Sequence, residues 1–312
     1  MRTIPVIIGP TAGGKSSLAL ALAERLADRD QPAELVTADA YQVYRRMDIG
    51  TAKPSPDEQA KAPHHLIDIR EPTEAFTVHE WLREANAVIE AIRGRNALPI
   101  VVGGTHLFIK ALLDGLFEGP EPDPALRDRL ETQPGPDLRA RLEAIDPAAA
   151  RRVHPNDRRR TIRAIEVYEQ TGTPISELQT QWDATPRDDL LLVVLDWPVE
   201  AINRRINSRV REMVEGGIVE EARELWKAGQ FGPTAREALG YKQFISHLEG
   251  RGSLDDAIEQ IKIETRRFAK KQRTWIKRLT PGRAPIRLCP DDADGWAERV
   301  ASALEQADQA KS

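Results

Sequence analysis

The chain has 312 residues, 45 Lys+Arg against 49 Asp+Glu for a formal net charge of −4, and 40% hydrophobic residues. That composition suits a sizeable core and about two domains, and the lack of any apolar run of about 18 residues excludes a membrane-spanning helix. The single cysteine, Cys289, excludes an intrachain disulfide and points to a reducing, cytoplasmic setting, and a start broken at Pro5 and Gly9 is expected to carry no signal peptide.

Ile4 to Ile8 is a short apolar run that ends at a glycine-rich loop, as a buried parallel strand does. The loop, Gly9-Pro10-Thr11-Ala12-Gly13-Gly14-Lys15-Ser16, fits the G-x-x-x-x-G-K-[ST] pattern of nucleotide- and ATP-binding proteins. A helix follows over Ser17 to Ala27, with Leu18, Leu22 and Leu26 at helical spacing. In this context backbone N–H groups face an anion and the helix N-terminus adds partial positive charge. Lys15 supplies a point charge to the terminal phosphates, and Ser16 can ligate a Mg²⁺ bound to them. The loop is expected to bind a diphosphate or longer.

Glu34 to Thr37 reads as a second strand, and Asp39 stands just past its carboxyl end, the edge at which open α/β sheets bind ligands. A carboxylate there can accept a proton, ligate a metal or cap a helix. Gln42 has the groups to pair with an adenine edge, and Tyr41 and Tyr44 either stack on a base or pack. Thr77 and Glu80 have capping-box spacing ahead of the apolar stripe Val78, Trp81, Leu82, Ala85, Val88 (or Ile89) and Ile92, which Gly94 closes. Pro99 to Val102 is a further buried strand ending in Gly103-Gly104-Thr105. Those glycines form either a plain turn or a close approach to a ligand, and the acid that holds Mg²⁺ in a hydrolase is missing there. Alternating strands and helices predict an α/β fold: a P-loop NTPase-like parallel sheet flanked by helices.

Composition shifts near Gly119, and ten of the 22 prolines fall between Pro120 and Pro198. A small helical insertion over 120–189 is expected, leaving 1–119 and 190–312 as the core. Leu190 to Leu195 returns as a strand, Ile202, Ile206, Val210 and Met213 mark a helix ended by Gly216-Gly217, and Leu254 to Leu279 is a long amphipathic helix. The tail from Ala284 carries little pattern, and its last eight residues are expected to fray.

Charge is unevenly spread. Arg151 to Arg163 holds six arginines against Asp157 alone, and Lys262 to Arg278 holds eight bases against Glu264. Local density matters to a phosphate backbone within a Debye length of about 10 Å, so RNA contact is favoured over a merely solvated face. His64 and His65 are adjacent and make a poor metal pair. His106, Trp226 and Trp275 are expected to pack or cap.

Several strings are recognisable together. Asp39-Ala40-Tyr41-Gln42-Val43-Tyr44, Met47-Asp48-Ile49-Gly50-Thr51-Ala52-Lys53-Pro54, Pro63-His64-His65-Leu66-Ile67-Asp68, Gly103-Gly104-Thr105, His154-Pro155-Asn156-Asp157 and Ala238-Leu239-Gly240-Tyr241-Lys242 resemble the tRNA dimethylallyltransferase (tRNA isopentenyltransferase) family, in the family's order. One departure is Ala40, where the family usually has Ser. The resemblance implies transfer of a dimethylallyl group from dimethylallyl diphosphate to N6 of the adenosine just 3′ of the tRNA anticodon, with pyrophosphate leaving and Mg²⁺ as cofactor. It implies Asp39 as proton acceptor, Lys15 at the leaving diphosphate, and Thr11 and Arg236 near it. It places tRNA contacts at Asp39, Ala40, Tyr41, Gln42, Thr105, Arg127, Arg159, Arg160, Thr161, Ile162 and Arg163. A monomer with no obligate protein partner is expected. A small-molecule kinase, an isopentenyltransferase acting on free AMP and a non-enzymatic RNA-binding P-loop protein are the alternatives; the first two have no need of two basic clusters.

Overall fold

The computed structural model describes residues 2–117, 119–179 and 187–311. Strands β1 (Ile4–Ile8), β2 (Ala33–Ala38), β3 (His64–His65), β4 (Leu98–Gly103), β5 (Leu190–Leu195) and β6 (Ile286–Leu288) form one sheet in the order β3-β2-β4-β1-β5-β6. Every pairing is parallel. β1, β2 and β4 are buried along their whole length, and unbroken apolar runs are what strands covered on both faces require. The chain leaves β1 toward β2 on one side of the sheet and leaves β4 toward β5 on the other. The carboxyl ends of β1 and β4 therefore flank a topological switch point, where a crevice opens.

Helix α1 (Lys15–Ala27) starts two residues before its apolar pattern, because Gly14 turns the chain at φ 87°. After α2 (Pro56–Lys61), α3 (Val78–Gly94) opens on a reciprocal capping box between Thr77 and Glu80 and buries Trp81, Ala85, Ile89 and Ile92. α4 (His106–Asp114) follows β4.

Contacts divide the chain into two compact units, Leu112–Arg187 and the remainder. The smaller unit starts ahead of the proline-rich stretch. It comprises α5 (Pro124–Glu131), α6 (Gly135–Ile145), α7 (Pro147–Arg152), α8 (Arg158–Thr171) and α9 (Ile175–Leu178) around a core of Leu126, Leu130, Leu138, Leu142, Ile162 and Ile165. Residues 180–186 of the expected insertion, Pro186 among them, lie outside the described residues.

The larger unit continues with α10 (Val199–Glu215), α11 (Ile218–Lys227), α12 (Tyr241–Leu248), α13 (Leu254–Leu279) and α14 (Trp296–Gln309). The tail expected to fray is held. α14 buries Trp296, Val300, Ala301 and Leu304 in a cluster that also holds Leu18 and Leu22 of α1. Asp308 accepts the Thr3 N–H at 2.7 Å, and Lys311 Nζ donates to the Asp188 carbonyl at 2.7 Å. Among the described residues no helix is long and apolar enough to cross a membrane.

Candidate active site

The glycine-rich loop sits between β1 and α1 at the switch point, and four of its carbonyls are held by side-chain donors. Lys15 Nζ donates to the Gly9 and Pro10 carbonyls at 3.2 and 2.9 Å, Arg205 Nε to that of Ala12 at 2.7 Å, and Trp197 Nε1 to that of Gly13 at 2.9 Å. Arg205 in turn lies over the Trp197 ring, 4.7 Å from its centroid. Gly9 and Gly13 have no room for a side chain: a Cβ would come within 2.8 Å of Leu195 Cβ and of the Pro10 carbonyl. Burial, with help from the Arg209 charge, pulls the Lys15 ammonium down to about 8, and Asp39 partly opposes this. Ser16 stands exposed at the start of α1.

Asp39 follows β2. Its Oδ1 accepts the Tyr41 and Gln42 N–H groups at 2.9 and 3.3 Å, so the carboxylate caps its own turn while Oδ2 has no hydrogen-bond partner among the described residues. Thr105 braces this turn, its Oγ1 accepting the Ala40 N–H at 3.0 Å. Gln42 is committed elsewhere: Nε2 donates to the Thr51 and Ala52 carbonyls at 3.2 and 3.0 Å. Tyr44 is core, with its hydroxyl donating to the Glu74 carbonyl.

The Asp48-to-Pro54 string turns out to be a braced wall. Glu221 of α11 accepts the N–H groups of Asp48, Ile49 and Gly50 at 2.9, 3.0 and 3.3 Å, and the Tyr241 hydroxyl as well. Burial and the Glu221 charge keep that phenol protonated far above its ordinary range. A Cβ at Gly50 would lie 2.4 Å from the Tyr241 ring, which explains the glycine. Lys53 is almost wholly buried between Asp48 and Asp68, at 2.5 and 2.6 Å. The paired histidines have separate partners: His65 bonds Glu34 at 2.6 Å, and His64 bonds the Ala62 carbonyl at 2.8 Å and lines the loop's cavity.

Two cavities meet here. One, of about 740 Å³, is lined by the loop together with Asp39, Gln42, Thr51, Arg205 and Arg209. The other, of about 450 Å³, takes in Tyr41, Thr105, Leu239 and Lys271. Thr11, Asp39 and Arg209 line both, as do Met213 of α10 and Phe268 of α13. Arg209, from α10, is, like Arg205, a cleft cation that sequence reasoning missed. Its only local signal is its place one residue before Val210 on an amphipathic helix. His106 is buried and lies against Trp275, ring centroids 6.4 Å apart. Burial first, then the nearby Lys15 charge, hold it neutral with a pKa of about 4.

Other residues singled out from sequence fall outside these cavities. Arg236 is ion-paired with Glu249 at 2.6 Å. In the smaller unit, Arg127 and Arg163 both grip Glu166, whose side chain is fully buried, at 2.9 and 2.7 Å. Burial alone would raise the Glu166 pKa, but the two guanidinium groups outweigh it and hold it below the ordinary range. Arg159 and Arg160 of α8 are exposed, whereas Thr161 and Ile162 are buried.

With Asp39, the loop and Arg209 converging on one cleft, the likenesses to known proteins bear directly on these residues. A family model described as IPP transferase matches residues 42–279. The tRNA dimethylallyltransferase of Geobacillus kaustophilus (strain HTA426) is 46% identical over 89% of this chain and 88% of its own length. The tRNA dimethylallyltransferase 1 of Citrifermentans bemidjiense is 47% identical over 88% of this chain and 90% of its own. Among solved structures, the full-length tRNA isopentenylpyrophosphate transferase of Bacillus halodurans superposes with a TM-score of 0.72 at 34% identity, covering 100% of this chain and 99% of that one. A eukaryotic dimethylallyltransferase acting on tRNA gives 0.84 at 28% identity, covering 100% and 80%. The chain belongs to the IPP transferase family, the family of the tRNA dimethylallyltransferases.

Proposed function

We propose that this protein transfers the dimethylallyl group of dimethylallyl diphosphate to N6 of the adenosine 3′-adjacent to the anticodon in tRNA, giving N6-isopentenyladenosine and pyrophosphate. The observation that carries this reading is Asp39 at the junction of two cavities, one of them lined by a loop built to hold a diphosphate. The allylic C–O bond breaks as the C–N6 bond forms, the electron pair of the C–O bond leaves with pyrophosphate, and the N6 proton passes to Asp39. Adenine N6 is a weak nucleophile, since its lone pair is delocalised into the ring, so a carboxylate aimed at its proton assists as the bond forms. Charge builds on the departing diphosphate, where the loop N–H groups, Lys15 and Arg209 are preorganised to receive it.

Mg²⁺ fits the site only together with substrate. Among the described residues no cluster of three His, Cys, Asp or Glu could hold a metal, while Ser16 offers an exposed hydroxyl beside the loop, a partial ligand set of the kind Mg²⁺ completes with phosphate oxygens and water. When bound there it supplies further neutralisation of the leaving group.

Exposed bases provide the tRNA contacts in this reading: Arg151, Arg152 and Arg159 on the smaller unit, and Arg267, Lys270 and Lys271 on α13. They act on phosphates and do not read sequence. A single-stranded adenine enters the second cavity at modest cost, a few kcal/mol at most. No protein partner is required, and a cytoplasmic monomer suffices. The test is mass spectrometry of nucleosides after incubation with dimethylallyl diphosphate, Mg²⁺ and bulk tRNA, with free AMP as a second acceptor. N6-isopentenyladenosine in tRNA and inert AMP are expected; efficient prenylation of AMP overturns the tRNA assignment.

A further inference from the structure

The buried face of α13 carries Ala257, Ile261, Ala269, Gln272, Ile276 and Leu279. Gln272 is the anomaly in that stripe: a primary amide, 1% exposed, at a position where leucine would serve packing equally well. Burying an amide is unfavourable unless both of its ends are bonded, and here both are. Oε1 accepts the Thr11 N–H at 2.7 Å, and Nε2 donates to the Gly104 carbonyl at 3.1 Å. One side chain thus ties the loop after β1 to the turn after β4, across the switch point. Space has been kept for it, because a Cβ on Gly104 would lie 2.7 Å from Nε2.

We propose that Gln272 is a positioning residue for the diphosphate loop, fixing Thr11 and Gly104 so that the loop's remaining N–H groups meet the diphosphate in register. This inference rests on the transfer reaction proposed above. With its N–H held by Gln272, and with the Gly13 N–H on the Pro10 carbonyl at 3.1 Å, Thr11 takes part through its hydroxyl. The amides of Ala12, Gly14, Lys15 and Ser16 are left to receive the anion. Only a side chain with an acceptor at one end and a donor at the other makes both bonds, so charge and shape are both specified at position 272.

The experiment compares wild type with Gln272→Leu and Gln272→Glu on the full chain. It measures kcat, KM for dimethylallyl diphosphate, inhibition by inorganic pyrophosphate, and tRNA affinity. Both variants are expected to raise KM and the pyrophosphate inhibition constant roughly tenfold each and to lower kcat, with tRNA affinity within about twofold of wild type. A role in packing alone would shift melting temperature and leave these constants unchanged per folded molecule. Gln272→Glu nearly preserves shape and keeps the acceptor for Thr11, so it decides the matter if the leucine variant fails to fold. Gly104→Ala is expected to weaken pyrophosphate inhibition in the wild-type background and to do so much less in Gln272→Leu, since the contact it disturbs is already gone. Wild-type pyrophosphate inhibition and kcat in a folded Gln272 variant overturn the proposal. Loss of tRNA prenylation by the wild type itself would overturn the underlying reading instead.

Discussion

The cleft at the switch point and the arginine cluster of the smaller unit are both rich in charge, and they use it in opposite ways. In the cleft, Lys15, Arg209 and Asp39 converge on a cavity, and its walls are held by neutral groups such as Gln272, Thr105 and Trp197 together with charged ones such as Arg205 and Glu221. In the smaller unit the positive charge is largely consumed internally. Arg127 and Arg163 satisfy the buried Glu166. Arg158 bonds Glu131 and the carbonyls of Leu130 and Gln133. Arg160 has Asp157 at 3.4 Å. A run of arginines in sequence is therefore not a count of charges offered to RNA. Substitutions in the cleft should impair chemistry with little effect on folding, and those around Glu166 should do the reverse.

The sharpest break in that contrast is expected at Asp39. Asp39→Ala should lower single-turnover transfer by about 10²–10⁴-fold, the usual span for a general base, with dimethylallyl diphosphate affinity nearly kept. A collapse in that affinity would make Asp39 a metal ligand instead. On the other side of the contrast, Glu166→Ala leaves two guanidinium groups without their common partner. Glu166 is buried, but the two arginines are 40% and 27% exposed and recover hydration, so the loss is that of charge-assisted hydrogen bonds, about 1–3 kcal/mol. The variant's unfolding transition in urea should move to lower concentration while pyrophosphate inhibition of the folded fraction stays as in wild type.

Lys15 comes next. Lys15→Ala should reduce turnover by about 10²-fold or more, with tRNA affinity unchanged. Its lowered pKa also fixes two pH trends. The free enzyme loses the ammonium as pH rises through about 8, so kcat/KM for dimethylallyl diphosphate should decline above that pH. For stability the sign is opposite to that of a lysine gaining an acidic partner. The unfolded state binds the proton more tightly, so burial of charged Lys15 costs stability below about 8, and that cost is relieved as pH rises toward 10.5. The difference in melting temperature between wild type and Lys15→Met should accordingly move in favour of wild type as pH rises from 7 to 10.5.

What sequence reading reached, and what it did not, follows from the range of the interactions. β1, β2, β4 and β5 were legible because burial on both faces leaves unbroken apolar runs, and α13 because its amphipathic stripe is long. β3 and β6, at two and three residues, are too short for any period to show. The loop and Asp39 were legible because their chemistry is local: glycine, lysine and serine at fixed spacing, and an acid just past a strand. Arg209, Glu221 and Gln272 reach the same cleft from α10, α11 and α13, and nothing in the residues beside them says where those helices dock. Glu166 is fully buried on α8, and one of its partners, Arg127, lies 39 residues away in the chain, beyond the reach of any local pattern.

The smallest effect separates the charges that remain outward from those consumed. Arg151, Arg152 and Arg159 are exposed and carry no ion-pair partner among the described residues, as do Arg267, Lys270 and Lys271 on α13. Each phosphate contact releases counterions and contributes roughly 0.7–0.9 to the slope of log affinity against log salt. Arg151→Gln with Arg159→Gln should flatten the tRNA salt dependence by about one to two units and weaken binding about tenfold near physiological salt, leaving pyrophosphate inhibition untouched. The matched pair Arg267→Gln and Lys271→Gln should do the same on the larger unit. Arg129→Gln, which removes a cation already paired with Glu169 at 3.7 Å, should leave the slope where it was. A slope that falls equally for all three sets would mean that internal pairing does not withhold an arginine from RNA. A slope that falls for α13 alone would confine phosphate contact to the larger unit and leave the smaller unit's exposed arginines as solvated surface.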